Sequence, residues 1–97
     1  MAKLIQIQKN LKELEPILKD KFKVKKIGVF GSYVKNKQKK SSDLDLLVEF
    51  SEPISLFSFI GLENYLKIQL KLKVDLVMKD ALKSRIKDGI IKETVYV

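Results

Sequence analysis

The chain alternates segments of helical spacing with short apolar runs, and this alternation restricts its fold more than any other feature. Residues 3–19 carry leucine and isoleucine at three- and four-residue intervals, which predicts an amphipathic helix. Pro16 is expected to end or kink that helix. Apolar runs bounded by turn-forming residues predict three strands, at 24–30, 44–50 and 73–78, and a short terminal strand at 94–97.

Two further helices are predicted between and after these strands. Ser55 has the chemistry of an N-cap, and the helical stripe that follows it comprises Leu56, Phe59, Leu62 or Glu63, Leu66 and Leu70. Asp80 is expected to cap a last helix in which Leu82, Ile86 and Ile90 face the core. The element order predicts a single domain over residues 1–97, an α+β or α/β sandwich in which helices pack on one small sheet.

The residue types that are missing limit the chemistry. Among its 97 residues the chain has no cysteine and no histidine, which excludes disulfides, thiolate zinc sites, imidazole ligands and a histidine base. Catalysis would therefore depend on carboxylates, hydroxyls, lysines, backbone amides and bound metal. No apolar run approaches the length of a membrane span, and the N-terminus lacks the apolar core of a signal peptide, so a cytoplasmic protein is expected.

The chain is strongly basic, with a net charge of +8 and a pI of about 9.7. Such a surface attracts nucleic acid, nucleotides or an acidic protein partner, but a lysine-rich surface can also serve solubility alone. The loop 35–42 illustrates both interpretations. Its lysines could contact phosphates, or they could form an ordinary solvated loop; they are Lys35, Lys37, Lys39 and Lys40.

Two aspartates stand at the start of the second predicted strand. Alternate side chains of a strand share a face, so Asp43 and Asp45 point the same way, and Leu47 lies on that face too. Two carboxylates ~6 Å apart repel by roughly 3 kcal/mol at an effective dielectric constant of 20, and a cation between them reverses the sign. The alternative is an amphipathic strand with one solvated face, which the apolar Leu47 argues against.

Asp75 is a third acidic residue in an otherwise apolar strand. If the third strand lies beside the second, Asp75 joins the same site. Magnesium prefers hard oxygen ligands and takes one or two carboxylates, water and substrate phosphate. Two magnesium ions would offset more than half of the negative charge of three carboxylates and a nucleoside triphosphate, an arrangement typical of two-metal phosphoryl or nucleotidyl transfer.

A Gly-Ser turn closes the first strand. Gly31 allows close backbone approach and unusual dihedral angles, free amides at such a turn face an incoming anion, and the Ser32 hydroxyl could add a phosphate contact. The turn does not match the P-loop pattern. Alone it is nearly uninformative, but ten residues separate this anion-binding turn from the acidic strand.

Together these features form a motif that resembles a known family. The stretch "GSYVKNKQKKSSDLDLLVEF" is similar to the Gly-Ser, ten residues, Asp-x-Asp signature of the DNA polymerase beta-like nucleotidyltransferase superfamily. More closely, it resembles the minimal nucleotidyltransferases, the MNT antitoxins that are paired with HEPN-domain toxins. The similarity continues through "SLFSFIGLENYLKIQLKLKVDLV" and "ALKSRIKDGIIKETVYV" and so covers nearly the whole chain.

The resemblance implies a nucleotidyltransferase fold, with a small mixed sheet and helices packed on it, and ATP-Mg²⁺ as the donor. It implies Gly31 and Ser32 at the triphosphate, Asp43 and Asp45 as metal ligands, and Asp75 as the third acid, which helps to activate the attacking hydroxyl. Lys35 followed by Asn36 departs from the arginine and glycine of many relatives. Lysine keeps the charge without the bidentate fork, and asparagine tolerates a left-handed backbone.

The activity that the resemblance implies is transfer of AMP to a tyrosine of a HEPN RNase toxin, which silences it, in a hetero-oligomer with that toxin. The chain has no residues left for a second domain, so the acceptor is expected to come from a partner. Phe57, Phe59, Tyr65 and the terminal "TVYV" could meet that partner or pack in the core. Two other functions remain open: an antitoxin that acts by binding alone, and a small nucleic-acid-binding domain. The last lacks an aromatic-basic motif, and direct nucleic-acid binding is not expected.

Overall fold

The computed structural model describes residues 3–97, which form three helices and a four-stranded sheet. The predicted strands and helices are all present, with small changes at their ends. In chain order the elements are α1 (Leu4–Asp20), β1 (Val24–Phe30), a 3₁₀ turn (Gly31–Tyr33), β2 (Leu44–Phe50), α2 (Leu56–Leu70), β3 (Val74–Met78), a second 3₁₀ turn (Lys79–Ala81), α3 (Ser84–Glu93) and β4 (Val95–Tyr96).

The sheet is mixed and has the strand order β3-β2-β1-β4. β1 pairs antiparallel with both β2 and β4, while β2 pairs parallel with β3. The parallel pair needs a crossover connection, which α2 supplies. The prediction of an α+β sandwich with a small mixed sheet is confirmed, and β3 lies beside β2 as the interpretation of Asp75 requires.

The core lies on one face of this sheet, between the strands and the first two helices. Alternate residues of β2 point into it, and leucines and isoleucines from α1 and α2 cover them; the fully buried ones include Ile7, Leu11, Leu18, Leu44, Leu46, Val48, Leu62 and Leu66. The strand alternation sends Asp45 and Leu47 to the opposite face. Leu47 is itself buried, so this face of the sheet is not simply solvated. This agrees with the argument made from Leu47 in the sequence.

Helix α1 continues through Pro16 to Asp20, so the expectation that Pro16 ends the helix is wrong. The proline removes one backbone hydrogen bond. Leu11 and Leu18 on either side of it are both buried in the core. Tertiary packing of this kind supplies most of a helix's stability in a protein and here outweighs the lost bond.

Helix α2 begins at the predicted cap, since the Ser55 hydroxyl accepts a hydrogen bond from the Ser58 N–H at 3.1 Å. The predicted stripe is only partly right, because Leu56 is 72% exposed. α2 is apolar around most of its circumference, with Phe57 and Ile60 exposed as well. The sequence therefore did not show which apolar residues of its first turn would face the sheet.

Helix α3 differs most from its prediction. Asp80 lies in the second 3₁₀ turn, and the residue at the N-cap of α3 is Lys83. α3 has no buried residue, and Ile86 is 53% exposed, so its predicted place in the core is wrong. Within residues 3–97, no helix is long and apolar enough to cross a membrane.

Candidate active site

The end of β1 brings the Gly-Ser turn against the first acidic strand. The β1–β2 ladder pairs Phe30 with Asp45, which places the Asp45 carboxylate directly against Gly31. Gly31 has a φ of 76°, in the left-handed region, and a Cβ atom there would collide with the Asp45 carboxylate. Glycine is thus required at this position both for its backbone angle and for space.

The two strands that carry the acidic residues are direct neighbours in the sheet. In the parallel β2–β3 ladder, Asp45 is the register partner of Asp75. Adjacent strands lie about 4.8 Å apart, and register partners point to the same face. Asp45 and Asp75 therefore share one face at the end of the sheet beside Gly31. Asp43 immediately precedes β2 and is near enough to disfavour ionisation of Asp45.

The electrostatics of Asp45 reflect this crowding. Burial, together with the negative charges of Asp75, Asp43 and Glu93, raises the pKa of Asp45 from 3.8 to about 6. Like charges that disfavour ionisation are the mark of a shared carboxylate site. Perturbed acids of this kind cluster at functional sites, although ion-pair networks perturb pKa values too.

The donor set fits a hard divalent cation. All the side chains concerned are carboxylates, and Asp43 and Asp75 are exposed, so water and substrate can reach them. Within residues 3–97, no three acidic side chains are gathered closely enough to form a ready metal cage. Magnesium needs only one or two protein carboxylates, and its other ligands are water and phosphate. The assignment of Asp43, Asp45 and Asp75 as metal ligands and catalytic residues therefore stays a prediction.

The turn after Gly31 is held by its own backbone. The Lys35 N–H donates to the Gly31 carbonyl at 3.2 Å, and the Lys37 N–H donates to the Ser32 carbonyl at 2.9 Å. Asn36 has a φ of 55°, so it adopts the left-handed conformation for which asparagine is suited. The expectation that this turn tolerates asparagine is confirmed, while the roles of Gly31, Ser32 and Lys35 in binding nucleotide stay predictions.

Glu93 is a member of the site that sequence reasoning missed. One of its carboxylate oxygens accepts a hydrogen bond from the Gly31 N–H at 3.1 Å, and the other lies 3.3 Å from the Lys35 ammonium. Glu93 is 62 residues from Gly31 in the chain. The only signal in the sequence that could have indicated Glu93 was the predicted terminal strand. When that strand pairs with β1, the end of α3 comes to lie beside Gly31.

Comparison with known proteins identifies the family of the chain. A family model described as "Nucleotidyltransferase domain" matches residues 11–97. The chain belongs to this family. Among its relatives is the protein adenylyltransferase MntA of Thermococcus cleftensis, which is 48% identical over 97 residues, covering 100% of this chain and 98% of that protein. The predicted membership of the nucleotidyltransferases is confirmed.

Solved structures share the fold of this nucleotidyltransferase. A candidate minimal nucleotidyltransferase superposes with a TM-score of 0.83 at 26% identity, covering 97% of this chain and 95% of that one. A toxin–antitoxin structure with AMP-PNP gives a TM-score of 0.75 at 23% identity, covering 92% and 70%. The tri-AMPylated Shewanella oneidensis HEPN toxin in complex with MNT antitoxin gives 0.68 at 22% identity, covering 93% and 70%.

Proposed function

We propose that this nucleotidyltransferase is an antitoxin that transfers AMP from ATP, with Mg²⁺, to a tyrosine of a HEPN-domain RNase toxin. The modification neutralises the toxin, and the two proteins form a hetero-oligomer. The observation that carries the proposal is the position of Asp45, which lies against Gly31 on one side and pairs with Asp75 on the other. The turn to which we assign the triphosphate thus lies beside two of the carboxylates to which we assign the metal.

The names of the relatives support the reaction and the partner. The relative from Thermococcus cleftensis is a protein adenylyltransferase, which is an enzyme that attaches AMP to protein. One structural neighbour is a toxin–antitoxin pair with AMP-PNP, an ATP analogue, and another contains an AMPylated HEPN toxin with its MNT antitoxin. These proteins supply the class of donor and the class of acceptor that the proposal assigns to this chain.

Each site residue has a role in this reaction. Gly31, Ser32 and Lys35 bind the triphosphate through the turn amides, a hydroxyl and an ammonium group. Asp43 and Asp45 would hold the metal, which would neutralise charge at the phosphates and lower the pKa of the attacking hydroxyl.

Asp75 orients the tyrosine hydroxyl and accepts its proton. The tyrosine oxygen bonds to the α-phosphorus of ATP as the bond to the pyrophosphate group breaks. Pyrophosphate leaves and AMP stays on the tyrosine. Positioning of this kind, with charge neutralisation, supplies most of the catalysis in phosphoryl transfer.

A transfer assay with a cognate HEPN protein tests the proposal. The chain is mixed with α-labelled ATP, MgCl₂ and that protein, and label on the protein is measured. We expect transfer by the wild type and a loss of about 100-fold or more in Asp43→Asn and in Asp75→Asn, because each removes a group that acts on the reacting atoms.

Asp80→Asn is the matched control for these variants. It makes the same change of charge at an exposed position in the second 3₁₀ turn, outside the site, and should leave transfer unchanged. The proposal would be contradicted if the folded wild-type chain left the HEPN protein unlabelled. It would also be contradicted if Asp43→Asn labelled the HEPN protein fully.

Neutralisation by binding alone is the second candidate function. It is favoured by the apolar side chains that α2 presents to solvent, of which Phe57 is 86% exposed. The same variants separate the two functions. If Asp43→Asn and Asp45→Asn still block the RNase activity of the HEPN protein at equal concentration without labelling it, binding suffices. If RNase activity returns, the transfer reaction is the neutralising event.

A further inference from the structure

The carboxylate of Glu93 spans the two groups of the turn that are best suited to bind an anion. Its Oε1 accepts from the Gly31 N–H and its Oε2 pairs with the Lys35 ammonium, so each oxygen is used once. The side chain is 27% exposed, which leaves it close to water on one side. A planar anion with two oxygens therefore already sits where the proposed function places phosphate.

Glu93 and a triphosphate cannot both keep these contacts. A backbone N–H has a single hydrogen, so a phosphate oxygen that binds Gly31 must replace the Glu93 oxygen. A carboxylate left beside a triphosphate would also face like charge at close range.

The backbone around Glu93 is fixed, which limits how this contact can open. The next residue, Thr94, donates from its N–H and its hydroxyl to the Ile90 carbonyl, at 3.0 and 2.6 Å. Val95 and Tyr96 then pair with β1. Only the side chain of Glu93 is free to move, and its flexible torsions allow it to rotate away from the turn without unfolding of α3 or β4.

We propose that Glu93 is an internal competitor for the phosphate site: its carboxylate occupies Gly31 and Lys35 in the nucleotide-free protein and rotates away when a triphosphate binds. Glu93 thereby sets the affinity for nucleotide, and it keeps the basic turn neutralised against other anions until nucleotide arrives. This inference rests on the proposed function, because it takes Gly31 and Lys35 as the triphosphate ligands.

Calorimetric titration with AMP-PNP in the presence of MgCl₂ tests the inference. Glu93→Gln keeps the shape of the side chain but removes its charge, and we expect it to bind AMP-PNP about fivefold more tightly, which corresponds to the loss of one partly exposed ion pair. Glu49→Gln is the matched control, because Glu49 is 23% exposed and pairs with Lys79 at 3.5 Å, near the other end of β2. It should bind AMP-PNP as the wild type does.

Adenosine provides a second measurement that a purely structural role of Glu93 would not reproduce. Since adenosine has no phosphate, Glu93→Gln and the wild type should bind it equally. The inference would be overturned if Glu93→Gln bound AMP-PNP as the wild type does or more weakly. It would also be overturned if the variant gained as much affinity for adenosine as for AMP-PNP.

The proposed function fails separately from this inference. If the wild type binds AMP-PNP and Asp45→Asn binds it more weakly, the proposed function is supported, whatever the affinity of Glu93→Gln. If neither the wild type nor Glu93→Gln binds AMP-PNP, both the proposed function and this inference are wrong.

Discussion

The replacement Asp45→Asn is expected to make the protein more stable at neutral pH while removing its activity. The carboxylate lies against Gly31, and burial, together with the charges of three nearby acidic residues, raises its pKa from 3.8 to about 6. The folded protein thus opposes ionisation of a group that ionises freely in the unfolded chain. Asparagine has nearly the same shape and no charge, so the variant escapes this cost.

The size and pH dependence of the effect follow from the pKa. A shift of about two pKa units corresponds to about 3 kcal/mol, and because Asp45 is only partly buried, screening by water reduces this to about 1–2 kcal/mol. Below about pH 4, Asp45 is protonated in both the folded and the unfolded chain, so its charge costs nothing. As the pH rises from about 4 to about 6, the wild type loses this stability, and above about pH 6 the full cost remains.

Urea unfolding followed by circular dichroism, at about pH 4 and about pH 7.5, measures this difference. We expect Asp45→Asn to be more stable than the wild type by about 1–2 kcal/mol at the higher pH and to be within about 0.5 kcal/mol of it at the lower. The control Asp80→Asn, at an exposed position, should change little at either pH. A variant that is no more stable at pH 7.5, or that gains equally at both pH values, would refute the electrostatic reasoning.

Three other substitutions test the geometry of the site, of the core and of the surface. Gly31→Ala should destabilise the fold by at least about 1–2 kcal/mol in urea unfolding, because the new Cβ meets the Asp45 carboxylate at a left-handed φ; stability equal to wild type would contradict that contact. Leu62→Ala should cost about 2–5 kcal/mol, because Leu62 is fully buried. Phe57→Ala should cost less than about 0.5 kcal/mol yet weaken binding of the HEPN protein in a pull-down, since Phe57 is exposed; a large loss of stability would show that Phe57 packs in the core.

The sequence predicted the strands well because their signals are local. β1 and β2 begin and end where the apolar runs do, and the Gly-Ser turn marks the end of β1. The parallel neighbourhood of β2 and β3 was also predictable, since a helix between two strands is the usual crossover. From these facts alone the three carboxylates could be placed on one face, and Asp45 and Asp75 are indeed register partners.

The helices were harder to predict, because tertiary packing decides which of their residues are buried. α2 is apolar around most of its surface, so periodicity could not tell Leu56, which is exposed, from Leu62, which is buried. α3 shows the spacing of a core helix, yet none of its residues is buried. Glu93 was missed for a related reason: its contacts join parts of the chain that only the β1–β4 pairing brings together.

The β1–β2 ladder, rather than the loop between the strands, fixes the centre of the site. Phe30 and Asp45 are paired across two antiparallel strands, so Gly31 must lie beside the carboxylate whatever course the intervening residues take. Lysine at position 35 and asparagine at position 36 therefore leave the acidic residues in place. The loop does determine the charge beside Gly31, where Lys35 is paired with Glu93. The identities of residues 35 and 36 therefore do not decide the arrangement of the carboxylates.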